Sequence, residues 1–184
     1  LRCARTDLMP AFVSILRDIL LLRRGPQDLP YSPQLLLTVG ALCVLLQLTV
    51  TLMRGVPAGA VILGAMLWLA FTLGALRLIL QMRGLGNRFV QAATALLGCN
   101  LAFTVFAIPV ALLTGDTPPA TPEAMTPGQV LAGIVALPLL LWKIAVDAHV
   151  FRHSFEIPFL SGIVIALLWI VAALALSSLG APAG

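Results

Sequence analysis

The most polar constellation in the sequence runs from Trp142 to Glu156, WKIAVDAHVFRHSFE. Lys143 and Asp147 stand one helical turn apart, where an ion pair lowers the cost of placing either group in apolar surroundings. His149 and His153 repeat that spacing on one face, and Glu156 continues it. Two imidazoles and a carboxylate are donor types that hold a divalent metal, but such a site needs three or four ligands. No HExxH motif accompanies them, and these are the two histidines of the chain. Neighbours on one helix also cannot sandwich a haem iron. The plainer reading is a cytoplasmic helix end, with Arg152 and the histidines at the headgroups and Lys143 snorkelling. No metal, cofactor or catalytic residue is assigned.

A second polar feature is Asn100, with Thr104 one turn further on, inside a long apolar run. An amide in hydrocarbon needs a partner, so it either bonds to another helix or lines a polar pathway. Gln47, Thr49 and Thr51 are the candidate partners. Signatures of soluble catalysis are missing: there is no G-x-S-x-G, no phosphate-binding glycine loop and no pair of carboxylates within an apolar run. Asn100, Thr104, Lys143, Asp147, His149 and His153 are therefore candidate functional polar residues without an assigned reaction.

The elements that must position them follow from composition. Of 184 residues, 60% are hydrophobic and 10% charged, against about 45–50% and about 25% in a soluble domain. Five stretches match the roughly 20 residues a membrane helix requires, the fourth only with its polar last turns counted. They cover 34–53, 58–80, 89–113, 130–142 with polar last turns beyond, and 158–179. Helices are expected throughout, because an open-ended span must satisfy its backbone internally. The fold class is thus all-α: a polytopic helical bundle of about five transmembrane helices, plus an N-terminal amphipathic helix.

That N-terminal helix is expected over 11–24. Phe12, Ile15, Leu16, Ile19 and Leu22 share one side, and Ser14, Arg17 and Asp18 the other. It either lies among headgroups or packs on the protein's own cytoplasmic surface. Pro26, Pro30 and Pro33 make 25–33 a stiff connector. Residues 1–33 form the cytoplasmic N-terminal segment and 34–184 the five-span domain. Met9, directly before Pro10 and the amphipathic stretch, is expected to be the native start, with 1–8 an upstream reading of the frame. A secretory signal is not expected, since Arg17 and Asp18 interrupt the apolar region.

Orientation follows from the basic residues. Arg2, Arg5, Arg17, Arg23 and Arg24 precede the first span; Arg77, Arg83 and Arg88 surround the second connection; Lys143 and Arg152 flank the fourth. The 114–129 loop and the tail carry none, and Arg54 alone falls on the other side. The N-terminus is expected in the cytoplasm and the C-terminus outside, in a bacterial inner membrane. The net charge of +4 is explained by topology, and no nucleic-acid partner is expected. Cys43 and Cys99 fall inside apolar runs, where Cys behaves as a small hydrophobe.

Small residues recur at four-residue spacing: Ala60 and Gly64, Ala70 and Gly74, Thr94, Gly98 and Ala102, Gly162 and Ala166. They permit close approach between helices. Pro109 and Pro138 are expected to kink the third and fourth spans.

The layout resembles the Yip family of small five-helix membrane proteins, whose eukaryotic members carry Asp-Leu-Tyr-Gly-Pro before the first span. Asp28-Leu29-Pro30-Tyr31-Ser32-Pro33 is distantly similar, with Pro30 inserted and Ser32 in place of glycine. The polar fourth-to-fifth connection resembles that of bacterial relatives. The resemblance implies a membrane-organising or trafficking-type role without catalytic residues. The leading reading is a non-enzymatic polytopic protein in contact with lipid that works by helix–helix association with itself or other membrane proteins. The rival readings are a small oligomeric transporter or channel and a metal-dependent membrane enzyme.

Overall fold

The computed structural model describes residues 8–53, 57–114 and 125–179. The question of a start at Met9 rests on residues that lie, but for Leu8, outside these. The described chain is all-helical: α1 (Leu8–Leu20), α2 (Pro33–Met53), α3 (Ala58–Met82), α4 (Phe89–Thr114), α5 (Pro127–Phe155) and α6 (Phe159–Leu179). Short 3₁₀ turns at Pro26–Asp28 and Gly86–Arg88 complete it. The five helices α2 to α6 are long and apolar enough to cross a membrane. The protein is an integral membrane helical bundle.

Local sequence explains the boundaries. Ser32 precedes Pro33 and accepts the Leu35 N–H at 3.2 Å, a proline-led helix start with a hydroxyl cap. Helix α5 begins at Pro127, three residues ahead of the expected Val130. Thr126 and Gln129 form a reciprocal capping box, at 3.3 and 2.9 Å, and residues T-P-G-Q spell that start. Gln129 also donates to the Thr114 carbonyl at 3.2 Å, joining the end of α4 to the start of α5. Helix α3 ends in a Schellman turn: Gly84, at φ +69°, passes the Leu85 N–H back to the Leu80 carbonyl at 2.8 Å. Pro109 and Pro138 lie inside α4 and α5, which run on through them.

Helix α1 stops at Leu20, short of the expected Arg24. Leu22 adopts a left-handed conformation, φ +59°, and Arg23 N–H closes onto the Asp18 carbonyl at 2.8 Å. This is a Schellman turn with leucine where glycine is usual. Asp18 holds Arg24 at 3.3 Å across it.

The long helices form a closed ring in the order α3, α2, α4, α5, α6, with α6 returning to α3. Trp169 of α6 packs at a tilt between Phe71 of α3 and Phe151 of α5, at 4.9 and 5.2 Å. The Cys43 thiol donates to the Leu97 carbonyl at 3.1 Å, between α2 and α4. Packing is uneven along the bundle. Ala92 through Cys99 are all buried, as are Val146 through Phe151 of α5. Toward the other end Leu112 and Leu113 of α4 and Ile134, Leu137 and Leu141 of α5 are exposed. One end is a protein core, and the other offers its apolar side chains to lipid. The core end carries Arg83, Arg88 and Arg152, and is termed the basic end.

Candidate functional site

At the basic end the N-terminal segment is part of the core. Of the two placements open for α1, packing on the bundle is what the structure contains. Phe12, Ile19 and Leu20 are buried, Ile19 completely. Phe12 and Leu16 lie over Gly98 of α4, and a Cβ there would come within 3.0 Å of Leu16 and 3.2 Å of Phe12. The Thr94–Gly98–Ala102 spacing thus serves an internal contact.

Four side-chain bonds then fasten α1 and its connector. The Trp142 indole N–H donates to the Leu20 carbonyl at 2.9 Å, satisfying an acceptor that α1's last turn leaves open. His149 Nε2 donates to the Arg24 carbonyl at 2.9 Å. The Gln91 amide donates to the carbonyls of Gln27 and Leu29, at 3.1 and 2.6 Å. The connector offers these carbonyls no backbone partner among the described residues, and leaving such groups unmet at a packed surface is costly. Gln91 and Trp142 were not singled out in the sequence for this role; the clue is Gln91's amide amid the apolar residues that open α4.

Lys143 and Asp147 do pair, with Nζ 2.7 Å from Oδ2. The pair is lopsided: the Asp147 side chain is 5% exposed and that of Lys143 26%. Lys143 also lies over the Phe103 ring at 5.6 Å. The second carboxylate oxygen of Asp147 is buried with no hydrogen-bond partner among the described residues, as are Thr72 Oγ1 and Ser154 Oγ.

The two histidines meet edge to face at 4.5 Å, yet their surroundings differ. His149 is buried among the helices and committed to the connector, which corrects its expected place among headgroups. His153 is half-buried and lines a cleft. Among the described residues no three His, Cys, Asp or Glu side chains converge as metal ligands.

Asn100 is half-buried. Its carbonyl accepts the Thr104 hydroxyl at 2.9 Å, within α4. The expected partners on α2 are spent on their own helix: Thr49 donates to Leu45, Thr51 to Gln47, and the Gln47 amide to Thr51, at 2.9, 2.7 and 3.5 Å. A hydroxyl bonded to the carbonyl four residues back needs no neighbouring helix. Interhelical pairing of Asn100 with these residues is therefore not what the structure contains.

The cleft, of about 370 Å³, is lined by Gln27, Arg88, Arg152, His153, Glu156 and Ile157. Arg88 pairs with Glu156 at 2.7 Å. Asn100, Thr104, Lys143 and Asp147 do not line it. Arg88 and Arg152 entered the sequence argument as topology markers, and their meeting depends on the packing of α4 against α5. No family model, no curated protein and no solved structure matches this chain.

Proposed function

We infer that the protein is a non-enzymatic membrane-organising or complex-associated bundle, of the Yip-like kind, that works by helix–helix association with itself or other membrane proteins. It sits in a bacterial inner membrane with its N-terminus in the cytoplasm and its C-terminus outside, the side to which the arginine distribution assigns each. The observation that supports this reading is where α3 puts its small residues. Val61, Ala65, Thr72, Leu76 and Leu80 form its buried stripe. Ala70 and Gly74 are exposed on another face, and a Cβ added at Gly64 or Gly74 would meet nothing within 4 Å. By contrast, Gly98 and Gly162 are filled from within the bundle. Unfilled small-residue notches on a lipid-facing helix admit a second helix at close range. Energy transfer between two labelled copies in liposomes tests it. Wild type should self-associate or require a membrane partner, and Ala70→Leu with Gly74→Leu should abolish that while leaving the melting temperature unchanged. A monomer unaffected by the double change would overturn the reading.

A second reading, a small transporter, is favoured by one observation. One Asp147 oxygen sits in the core without a partner among the described residues, and carboxylates buried inside a membrane bundle mark ion and proton pathways. Proteoliposomes loaded with a pH-sensitive dye should then show a flux that Asp147→Asn removes. Wild-type liposomes as tight as empty ones would sink it.

A further inference from the structure

We propose that the cleft at the basic end binds a phosphate group, carried by the headgroup of an anionic phospholipid. The cleft's walls come from four places in the chain: Gln27 of the connector, Arg88 of the turn before α4, Arg152 and His153 of α5, and Glu156 at its end. Its volume of about 370 Å³ falls within the range of about 300–1,000 Å³ usual for small-molecule sites.

The charges are arranged and not merely gathered. Arg88 is held by Glu156 at 2.7 Å, which fixes one guanidinium in place. Glu156 does so from a left-handed backbone, φ +55°, at a helix end where glycine is favoured. Arg152, four residues earlier, faces no carboxylate at ion-pair distance among the described residues. Asp28, close by on the connector, accepts the Gly25 N–H at 3.1 Å instead. Among the residues that line the cleft, two guanidinium groups stand against one carboxylate, beside an imidazole and an amide, with the Asp28 carboxylate near His153. Planar guanidinium forks are the side chains best matched to phosphate oxygens, and basic pockets between membrane helices take lipid phosphates.

A lipid source is favoured by what adjoins the cleft. Ile157 lines it, and α6 starts just beyond with Phe159, 37% exposed, and Leu160, 73% exposed. Acyl chains have an apolar track there, while a soluble phosphate would gain nothing from it.

The test is a melting-temperature titration of the full chain in a neutral detergent. Short-chain phosphatidylglycerol, short-chain phosphatidylcholine and inorganic phosphate are added in separate series. Phosphatidylglycerol should raise the midpoint saturably, and phosphatidylcholine should not. Arg152→Gln should weaken the apparent affinity for phosphatidylglycerol about tenfold, the order expected for one charge-assisted contact. Arg152→Lys, which keeps the charge without the fork, should fall between. Arg83→Gln, an exposed arginine outside the cleft, should behave as wild type. A saturable, Arg152-dependent response to inorganic phosphate at similar concentration would support the site and assign it to soluble phosphate. Equal responses to both lipids, an undiminished response in Arg152→Gln, or an equal loss in Arg83→Gln would overturn the proposal.

Discussion

At the scale of single residues, the asymmetry of the Lys143–Asp147 pair decides how it fails. Asp147 is nearly closed off, whereas Lys143 reaches the edge of the core. Lys143→Met strands a buried carboxylate, and breaking a buried pair from one side costs about 3–5 kcal/mol. Asp147→Leu leaves an ammonium that can swing outward on its flexible stem, so its cost should be well below that. The double variant removes both charges and should be more stable than Lys143→Met alone. Melting curves of the three variants in detergent check the order; equal and additive losses would mean the pair is not coupled. Gly162 is a different kind of single-residue constraint. A Cβ there would lie 2.5 Å from the Ala148 carbonyl oxygen, backbone that cannot yield without moving α5 from α6. Gly162→Val should lower the melting point more than the same change at Gly64, which faces open space.

At the scale of elements, the informative piece is α1. The amphipathic pattern of Phe12, Ile15, Leu16 and Ile19 is legible in the sequence, but amphipathicity marks a face without naming what covers it. The covering surface is assembled from Gly98 on α4 and Trp142 on α5, separated by 44 positions in the chain. Gly98→Leu should expel Phe12 and Leu16 from their seat, at a cost of about 1–3 kcal/mol for overpacking. Limited proteolysis should then cut between Leu20 and Gly25, where wild type resists. Trp142→Phe removes the bond to the Leu20 carbonyl and should act in the same direction by about 1 kcal/mol. Thr126→Ala should cost about 1 kcal/mol by removing the capping hydroxyl of α5. That cap could be read from T-P-G-Q directly, whereas the early stop of α1 could not. Leu22 is an unusual residue for a left-handed turn, and two residues beyond it Arg24 presents its carbonyl to His149.

At the scale of the whole molecule, the ring of five helices is packed at one end and lipid-facing at the other. Helix α5 has 29 residues and is about 43 Å long at 1.5 Å per residue, against about 30 Å of hydrocarbon. The excess of about 13 Å, roughly nine residues, falls in its polar last turns at the basic end. Basic residues are retained on the cytoplasmic side, so reporter fusions between α3 and α4 should read as cytoplasmic. Fusions between α4 and α5 should read as external. An inverted result would reverse the map while leaving the fold untouched.

The number of spans and the helical class were determined by the sequence alone, because apolar run length and the need to satisfy backbone groups within lipid admit few alternatives. The Lys143–Asp147 contact was also legible, since a pair one turn apart on a single helix meets wherever that helix goes. What only the tertiary structure decided were the contacts between distant segments. Asn100 draws no bond from Gln47, Thr49 or Thr51, whose polar groups are satisfied on their own helix. His149 is spent on a connector carbonyl, while His153, one turn away, is left to the cleft. Arg88 and Arg152 stand 64 positions apart and line one space. Helical periodicity fixes which residues share a face of one helix. It carries no information on which helix that face meets, because that choice rests on side-chain shape and backbone approach at positions such as Gly98 and Gly162, and these exist only once the bundle has closed.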